Sequence, residues 1–251
     1  FIKTGDLLAP DTYTVTIRSA SDSFVTADGD LLDGNTETLG LEDYSTTFTV
    51  APLSPETVTV SIPDFTRGYG QPVNVPADGL GIPLTISRGT GISGLNLRLK
   101  YDDSLLAVSG FTTTLAAPPE TGFIVDYNTA TRTLSFSNTS ELSSASEPIV
   151  LGYFTATVPQ TAVYAGKQLV ELTDLAIFND AAPPVQIPSV ADTAVHVVAY
   201  KVDGNADRRY SSADTTLTLR QSSGRINGLT QFPLADPVLI SDVTFDGEVL
   251  A

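Results

Sequence analysis

Leu95, Leu97, Leu99 and Tyr101 alternate with Asn96, Arg98 and Lys100. A period of two puts one set of side chains on one face of an extended strand and the other set on the opposite face. The apolar face needs a core and the charged face needs water, so the segment reads as a half-buried β-strand. Val58, Val60 and Ile62 repeat the period, as does Ile82-Pro-Leu84-Thr-Ile86. Further strands are expected near Phe123–Tyr127, Thr133–Ser137, Ile149–Val158, Leu169–Ile177 and Val195–Tyr200, with Asn, Gly, Pro and Ser at the turns. About nine strands in about 145 residues imply a β-sandwich or jelly roll over residues 55–198.

Composition agrees with a mainly β chain and narrows its partners. The 251 residues suffice for about two domains. Hydrophobic residues make up 41%, enough for a core, while charged residues are only 17%. The balance of 13 basic against 29 acidic residues gives a net charge of −16. Nucleic acid and anionic membrane surfaces would be repelled, whereas divalent cations would be attracted. The absence of Cys rules out disulfides, thiolate catalysis and Cys-based zinc or iron–sulfur sites. With no Met, the chain reads as a piece of a longer or processed protein. No stretch approaches the ~20 apolar residues of a membrane span, and no signal peptide is visible.

Gly91-Ile-Ser-Gly94-Leu-Asn-Leu-Arg-Leu-Lys-Tyr101-Asp102-Asp-Ser-Leu105-Leu106-Ala-Val108 resembles a cohesin. There a glycine-led strand ends in a Tyr-Asp pair, followed by a short Leu-Leu turn and a Val. The resemblance covers most of residues 55–198, the later strands matching in order rather than in distinctive residues. It implies a flat-faced jelly-roll sandwich whose partner is a dockerin.

Asp203-Gly-Asn205-Ala-Asp207-Arg208-Arg209-Tyr-Ser211-Ser-Ala-Asp214 places side-chain oxygens at positions 1, 3, 5, 9 and 12 of a twelve-residue loop. A tight loop with that spacing brings alternate side chains to one point and suits a hard divalent cation, Ca²⁺, which takes roughly 6–8 oxygens. Arg209, at position 7, would contribute its backbone carbonyl. The EF-hand pattern has Gly at position 6 and Glu at 12. Here Arg208 and Asp214 stand there, and Arg208 would have to adopt the left-handed conformation that glycine accepts more readily. Asp at position 12, with the following Ser211-to-Arg220 segment, resembles a dockerin. The resemblance implies a helix starting near Ser212 or Ala213 and a second copy of the motif. Asp242, Thr244 and Asp246 begin such a copy, with Gly247 at its sixth position and Glu248 next. Position 12 would fall beyond Ala251, so the second repeat of this 199–251 segment is truncated. Phe232-Pro233-Leu234-Ala-Asp236-Pro237 reads as an extended crossing toward it. With only Lys201-Val202 between strand and loop, the segment is expected to sit against the sandwich or extend from its end.

Residues 1–54 carry two Thr-rich strands, one around Tyr13, Val15 and Ile17 and one from Tyr44 to Val50. Between them lies an Asp-Gly-rich turn. The segment resembles the later half of a bacterial Ig-like repeat, which implies about three or four strands of a partial domain. Asp33, Asn35 and Glu37, with Asp43, share the spacing of a calcium loop and form a third candidate site. Ala51-Pro-Leu-Ser-Pro55 reads as a short stiff linker.

Other motifs have plainer readings. Gly89-Thr-Gly91-Ile-Ser-Gly94 fits the phosphate-binding glycine pattern, but a strand follows it where a helix is needed. His196 is the only histidine and lies in what reads as an alternating Val-rich strand, without the second His or Cys that a metal site or triad requires. Asp102 and Asp103 are adjacent and would point apart. Nothing assembles a nucleophile, so the expected class is non-enzymatic: a calcium-stabilised structural or adhesion module of a secreted bacterial surface or matrix protein. Its partner would be another protein, either the same chain in a homo-polymer or a cohesin or dockerin, with polysaccharide a further candidate. The alternative is a cellulosome-like scaffold component that anchors carbohydrate-active enzymes, against which stands the lack of any Trp for a planar sugar-binding face.

Overall fold

The computed structural model describes residues 4–21, 23, 25–34, 41–76, 79–115, 124–138, 141–243 and 249. Leu7–Pro55 forms one unit; Phe1–Asp6 with Glu56–Ala251 forms the other. In the smaller unit β1 (Asp11–Ile17) pairs antiparallel with β2 (Tyr44–Val50), Tyr13 opposite Phe48 and Ile17 opposite Tyr44. The register sorts the side chains: Tyr13, Val15, Ile17, Tyr44 and Phe48 share one face, and Thr12, Thr14, Thr16, Ser45, Thr47 and Thr49 share the other. The Tyr13 and Phe48 rings stack at 5.5 Å, and the Thr12 and Thr49 hydroxyls meet at 3.1 Å. The three or four strands expected of an Ig-like half reduce, among the described residues, to this pair and one isolated bridge, Val25 with Leu31. The Asp-Gly-rich stretch closes on itself instead, Thr26 N–H donating to the Asp30 carbonyl at 2.9 Å.

The larger unit is a sandwich. Its strands are β3 (Val58–Ser61), β4 (Phe65–Arg67), β5 (Ile82–Ile86), β6 (Ile92–Lys100), β7 (Ala107–Thr113), β8 (Ile124–Asn128), β9 (Thr133–Ser137), β10 (Ile149–Thr157), β11 (Lys167–Asn179), β12 (Gln186–Ile187), β13 (Ser189–Asp192) and β14 (Ala194–Val198). One sheet runs β13-β3-β5-β10-β7, the other β4-β14-β11-β6-β9-β8 with β12 also on β11. Neighbours are antiparallel except β13 with β3 and β14 with β4. In both sheets the last strands therefore return beside the first, which brings the chain's exit to the same edge as its entry.

β6 is the hinge of this arrangement because its alternation is real: Leu95, Leu97 and Leu99 are at most 2% exposed while Asn96, Arg98 and Lys100 face water. They pack with Leu134 and Phe136 of β9 and Leu172 and Ile177 of β11. Val60, Leu84, Ile86 and Phe154 of the facing sheet belong to the same core. Each such side chain contributes about 1.5–3 kcal/mol by leaving water. Strands β4, β7, β12 and β13 depart from the expected set. β12 is two residues long, β4 is buried throughout and so shows no alternation, and β7 is an edge strand whose Gly110 interrupts the pattern.

β14 is apolar on both sides for a structural reason. Ala194 and Val198 belong to the sandwich core, whereas Val197 and Ala199 belong to a second cluster with Leu229, Phe232, Leu239 and Ile240. That second cluster is the underside of the C-terminal segment, which folds against the sandwich. It comprises the 203–214 loop, α1 (Ser212–Ser222) and α2 (Pro237–Ser241). Gly204 lets the loop lie against α1, since a Cβ there would meet Leu217 Cδ1 at 3.3 Å. The extended crossing expected at 232–237 is instead a turn entering α2. Asp236 caps this helix by accepting the Val238 N–H at 2.9 Å, and Pro237 takes the first helical position, where its missing N–H costs nothing.

Candidate metal centre

The loop is shaped by its own polar side chains. Asp207 N–H donates to Asn205 Oδ1 at 3.0 Å and Arg209 N–H to Asp207 Oδ1 at 2.8 Å, so each acidic or amide side chain closes a turn over the next two residues. Ala206 and Arg208 take the left-handed conformation, with φ of +58° and +67°. Ser211 caps α1, accepting the Ala213 N–H at 3.2 Å. Asp214 completes the capping box: its Oδ2 accepts the Ser211 N–H at 2.9 Å and the Ser211 hydroxyl at 3.0 Å.

These turns bring carboxylate oxygens of Asp203, Asp207 and Asp214 within 4.8 Å of one another. Asp203 is fully buried and Asp214 is 2% exposed, while Asp207 faces solvent. Two carboxylates at such a separation repel by about 3 kcal/mol at an effective dielectric of about 20. The local hydrogen bonds only partly offset that. Asp203 Oδ2 accepts the Arg208 N–H at 2.9 Å and the hydroxyl of Tyr164, but Asp203 Oδ1 is buried with no hydrogen-bond partner among the described residues. A buried anionic oxygen without a partner is costly, and a cation at the convergence point would supply one. The donor set is all oxygen, which suits a hard cation such as Ca²⁺.

The other positions of the loop are placed as follows. Asn205 donates its side-chain amide to Asp207 Oδ2 at 3.0 Å and its backbone N–H to Asp214 Oδ1 at 3.4 Å. The Ser211 hydroxyl is engaged in the helix cap. Arg209 is exposed, with its N–H on Asp207. Arg208, the awkward residue at position 6, carries its guanidinium 5.3 Å from the ring centre of Tyr164 and 5.6 Å from that of Tyr69. Contact of this kind contributes about 0.5–1 kcal/mol at an exposed site, the order of the left-handed backbone penalty.

Tyr164 is the site residue that the loop's own pattern does not reveal. It comes from the connection between β10 and β11, accepts the Tyr200 N–H at 2.9 Å and donates to Asp203. Burial first, and then the hydrogen bond to Asp203, push its hydroxyl well above the usual phenol range, so it stays protonated as a donor. Tyr164 also belongs to a ring cluster with Tyr69, Tyr200 and Phe232.

The start of the second motif lies beside the first. Val202 N–H donates to the Ile240 carbonyl at 2.7 Å and Lys201 Nζ to that of Leu239 at 3.1 Å. Asp242 is 5% exposed and ends α2. Burial lowers the Lys201 ammonium to about 8, the nearby Asp242 working in the opposite direction. Thr244, Asp246 and Glu248 lie outside the described residues, as do Asn35 and Glu37 of the N-terminal candidate. Of the remaining members of that candidate, Asp43 Oδ1 accepts the Ser19 N–H at 2.7 Å.

His196 is fully buried against Phe65, ring centres 4.5 Å apart. Gln168 Oε1 accepts the Asp102 N–H at 2.6 Å, so its amide nitrogen is the donor to His196 Nδ1 at 3.0 Å. Desolvation, with a smaller push from Arg67, lowers the imidazole to about 3 and keeps it neutral. The glycines at 89–94 lead into the strand β6, not into a helix, with Glu141 accepting the Gly91 N–H at 3.0 Å.

No protein-family model matches the chain, and no curated protein matches it. Solved structures that it is similar to include a non-cellulosomal cohesin from the hyperthermophilic archaeon Archaeoglobus fulgidus, at 13% identity over 57% of this chain and 91% of that one, TM-score 0.43. Another is the sixth cohesin of scaffoldin B from Acetivibrio cellulolyticus, in complex with a dockerin mutant, at 13% identity over 57% and 99%, TM-score 0.44. A third is a type I cohesin from Pseudobacteroides cellulosolvens, at 16% identity over 57% and 92%, TM-score 0.42.

Proposed function

We propose that this chain is a non-enzymatic, calcium-stabilised module of a large secreted bacterial surface or matrix protein, and that it mediates protein–protein association. The observation that carries the reading is the approach of Asp203, Asp207 and Asp214 carboxylate oxygens to within 4.8 Å of one another, together with a buried Asp203 oxygen that has no hydrogen-bond partner among the described residues. Asp203 and Asp214 supply the ends of the ligand set, Asp207 its exposed side, and the ion offsets most of their charge. The loop follows β14 directly and is packed on the sandwich, so binding stiffens the exit from a rigid β-domain rather than ordering a free tail. Ca²⁺ that binds only the folded loop stabilises it by mass action. A weak site would stay filled at the millimolar concentrations that extracellular calcium modules use.

Charge distribution supports association between copies. Residues 199–225 hold five basic side chains, among them Arg208, Arg209, Arg220 and Arg225, and three acidic ones, in a chain of net charge −16. The 199–225 stretch of one copy is thus attracted to the acidic surface of another, and a contact between unlike patches propagates into a polymer. Calorimetric titration of chelator-stripped chain with CaCl₂ tests the metal: one site is expected, absent in Asp203→Ala. A flat titration of the unmodified chain would remove the reading.

A further inference from the structure

We propose that Tyr164, a residue of the sandwich, positions the calcium ligand Asp203, so that the ion's affinity depends on the seam between sandwich and C-terminal segment and not on the loop alone. This rests on the calcium reading above. The Tyr200 N–H donates to the Tyr164 oxygen at 2.9 Å, so the hydroxyl proton is directed to Asp203 Oδ2. The Arg208 N–H occupies the same oxygen at 2.9 Å. With Oδ2 doubly engaged, the carboxylate is locked in one rotation, and Oδ1 is the oxygen left for an ion. Arg208 closes the circuit by laying its guanidinium over the rings of Tyr164 and Tyr69, so the residue at the loop's sixth position grips the sandwich while its backbone grips the ligand. Pre-orienting a ligand removes its ordering cost from the binding step. Coupling of this kind is reciprocal: whatever docking on the sandwich adds to calcium affinity, calcium adds to docking.

The test uses the full chain, stripped of metal, with Tyr164→Phe and Asp203→Asn as variants. Partners that orient a metal ligand typically alter affinity by about 10–100-fold, so Tyr164→Phe is expected to bind Ca²⁺ at least about tenfold more weakly in calorimetry. A purely structural tyrosine would instead lower the calcium-free melting temperature and leave Kd unchanged. A Kd for Tyr164→Phe within about twofold of the unmodified chain therefore overturns the proposal. Asp203→Asn separates the two levels: if the unmodified chain binds no Ca²⁺, or binds it no better than Asp203→Asn does, the calcium reading fails and this inference fails with it. Should Tyr164→Phe not fold, the unmodified chain decides. It has no Trp and nine Tyr. Its near-ultraviolet absorbance should shift when Ca²⁺ is added, and the absence of any tyrosine shift on saturation overturns the proposal.

Discussion

The hydroxyl of Tyr164 donates to Oδ2 of Asp203, joining a loop between two sandwich strands to the first acidic residue of the 203–214 loop. The two residues are 39 positions apart, and the bond makes the loop's geometry depend on the sandwich that precedes it. Phe232, 1% exposed, closes the seam from the other side with its ring centre 6.3 Å from that of Tyr164.

Truncating Phe232 should open that seam without melting the sandwich. Phe232→Ala removes the largest side chain of the second cluster, a loss of about 3–5 kcal/mol to the part it supports. Hydrogen exchange should then show residues 199–243 losing protection while β6 and β11 keep theirs. Equal loss throughout would mean that segment and sandwich unfold as one unit.

The sandwich core is tested at β6. Leu97→Ala should cost about 3–4 kcal/mol in urea unfolding, because Leu97 is buried between both sheets. Its neighbour Arg98 faces water, so Arg98→Ala should stay within about 0.5 kcal/mol. Similar values for the two would contradict the assigned faces.

His196 gives the fold a pH dependence of known sign. Its folded-state pKa is lowered to about 3, below the unfolded value of about 6.5. The stability it contributes is complete above about pH 6.5 and is lost as pH falls toward 3, since only the unfolded chain takes up the proton in that window. Between pH 6.5 and 5 the unmodified chain should lose about 1.5 kcal/mol more than His196→Gln. Parallel profiles would show that the imidazole titrates normally in the fold.

Association between copies, if electrostatic, must respond to salt. Sedimentation of the calcium-loaded chain should show assembly at low ionic strength that dissolves as salt shortens the Debye length below about 8 Å. Charge reversal at Arg220 and Arg225 should shift the equilibrium toward monomer. A salt-independent monomer at high concentration would remove the polymer reading.

How much of this was legible from residues alone follows the physics of each element. β9 spans the Thr133–Ser137 expected from alternation, and α1 begins at Ser212, where the dockerin resemblance places a helix start; the capping box of Ser211 and Asp214 is the local reason that the structure adds. β14 was legible as a strand, but its lack of alternation is explained only by its second, outward core. β7 and α2 escaped notice for opposite reasons: a glycine broke one pattern, and five residues are too few to establish another. The spacing of Asp203, Asp207 and Asp214 is a local fact, as is the oddity of Arg208 at position 6. The long-range contacts that accommodate Arg208, from Tyr69 and Tyr164, carry no local signature.

The most direct test is a pair of thermal melts, one with Ca²⁺ a hundredfold above its Kd and one in excess EDTA. Binding at that level stabilises the folded state by about 2.7 kcal/mol, which for a chain of this size is on the order of 5–10 °C. The account predicts a drop of that order on chelation, and a melt of Asp203→Ala that is low in both solutions. Coincident melts of the unmodified chain with and without Ca²⁺ would contradict it.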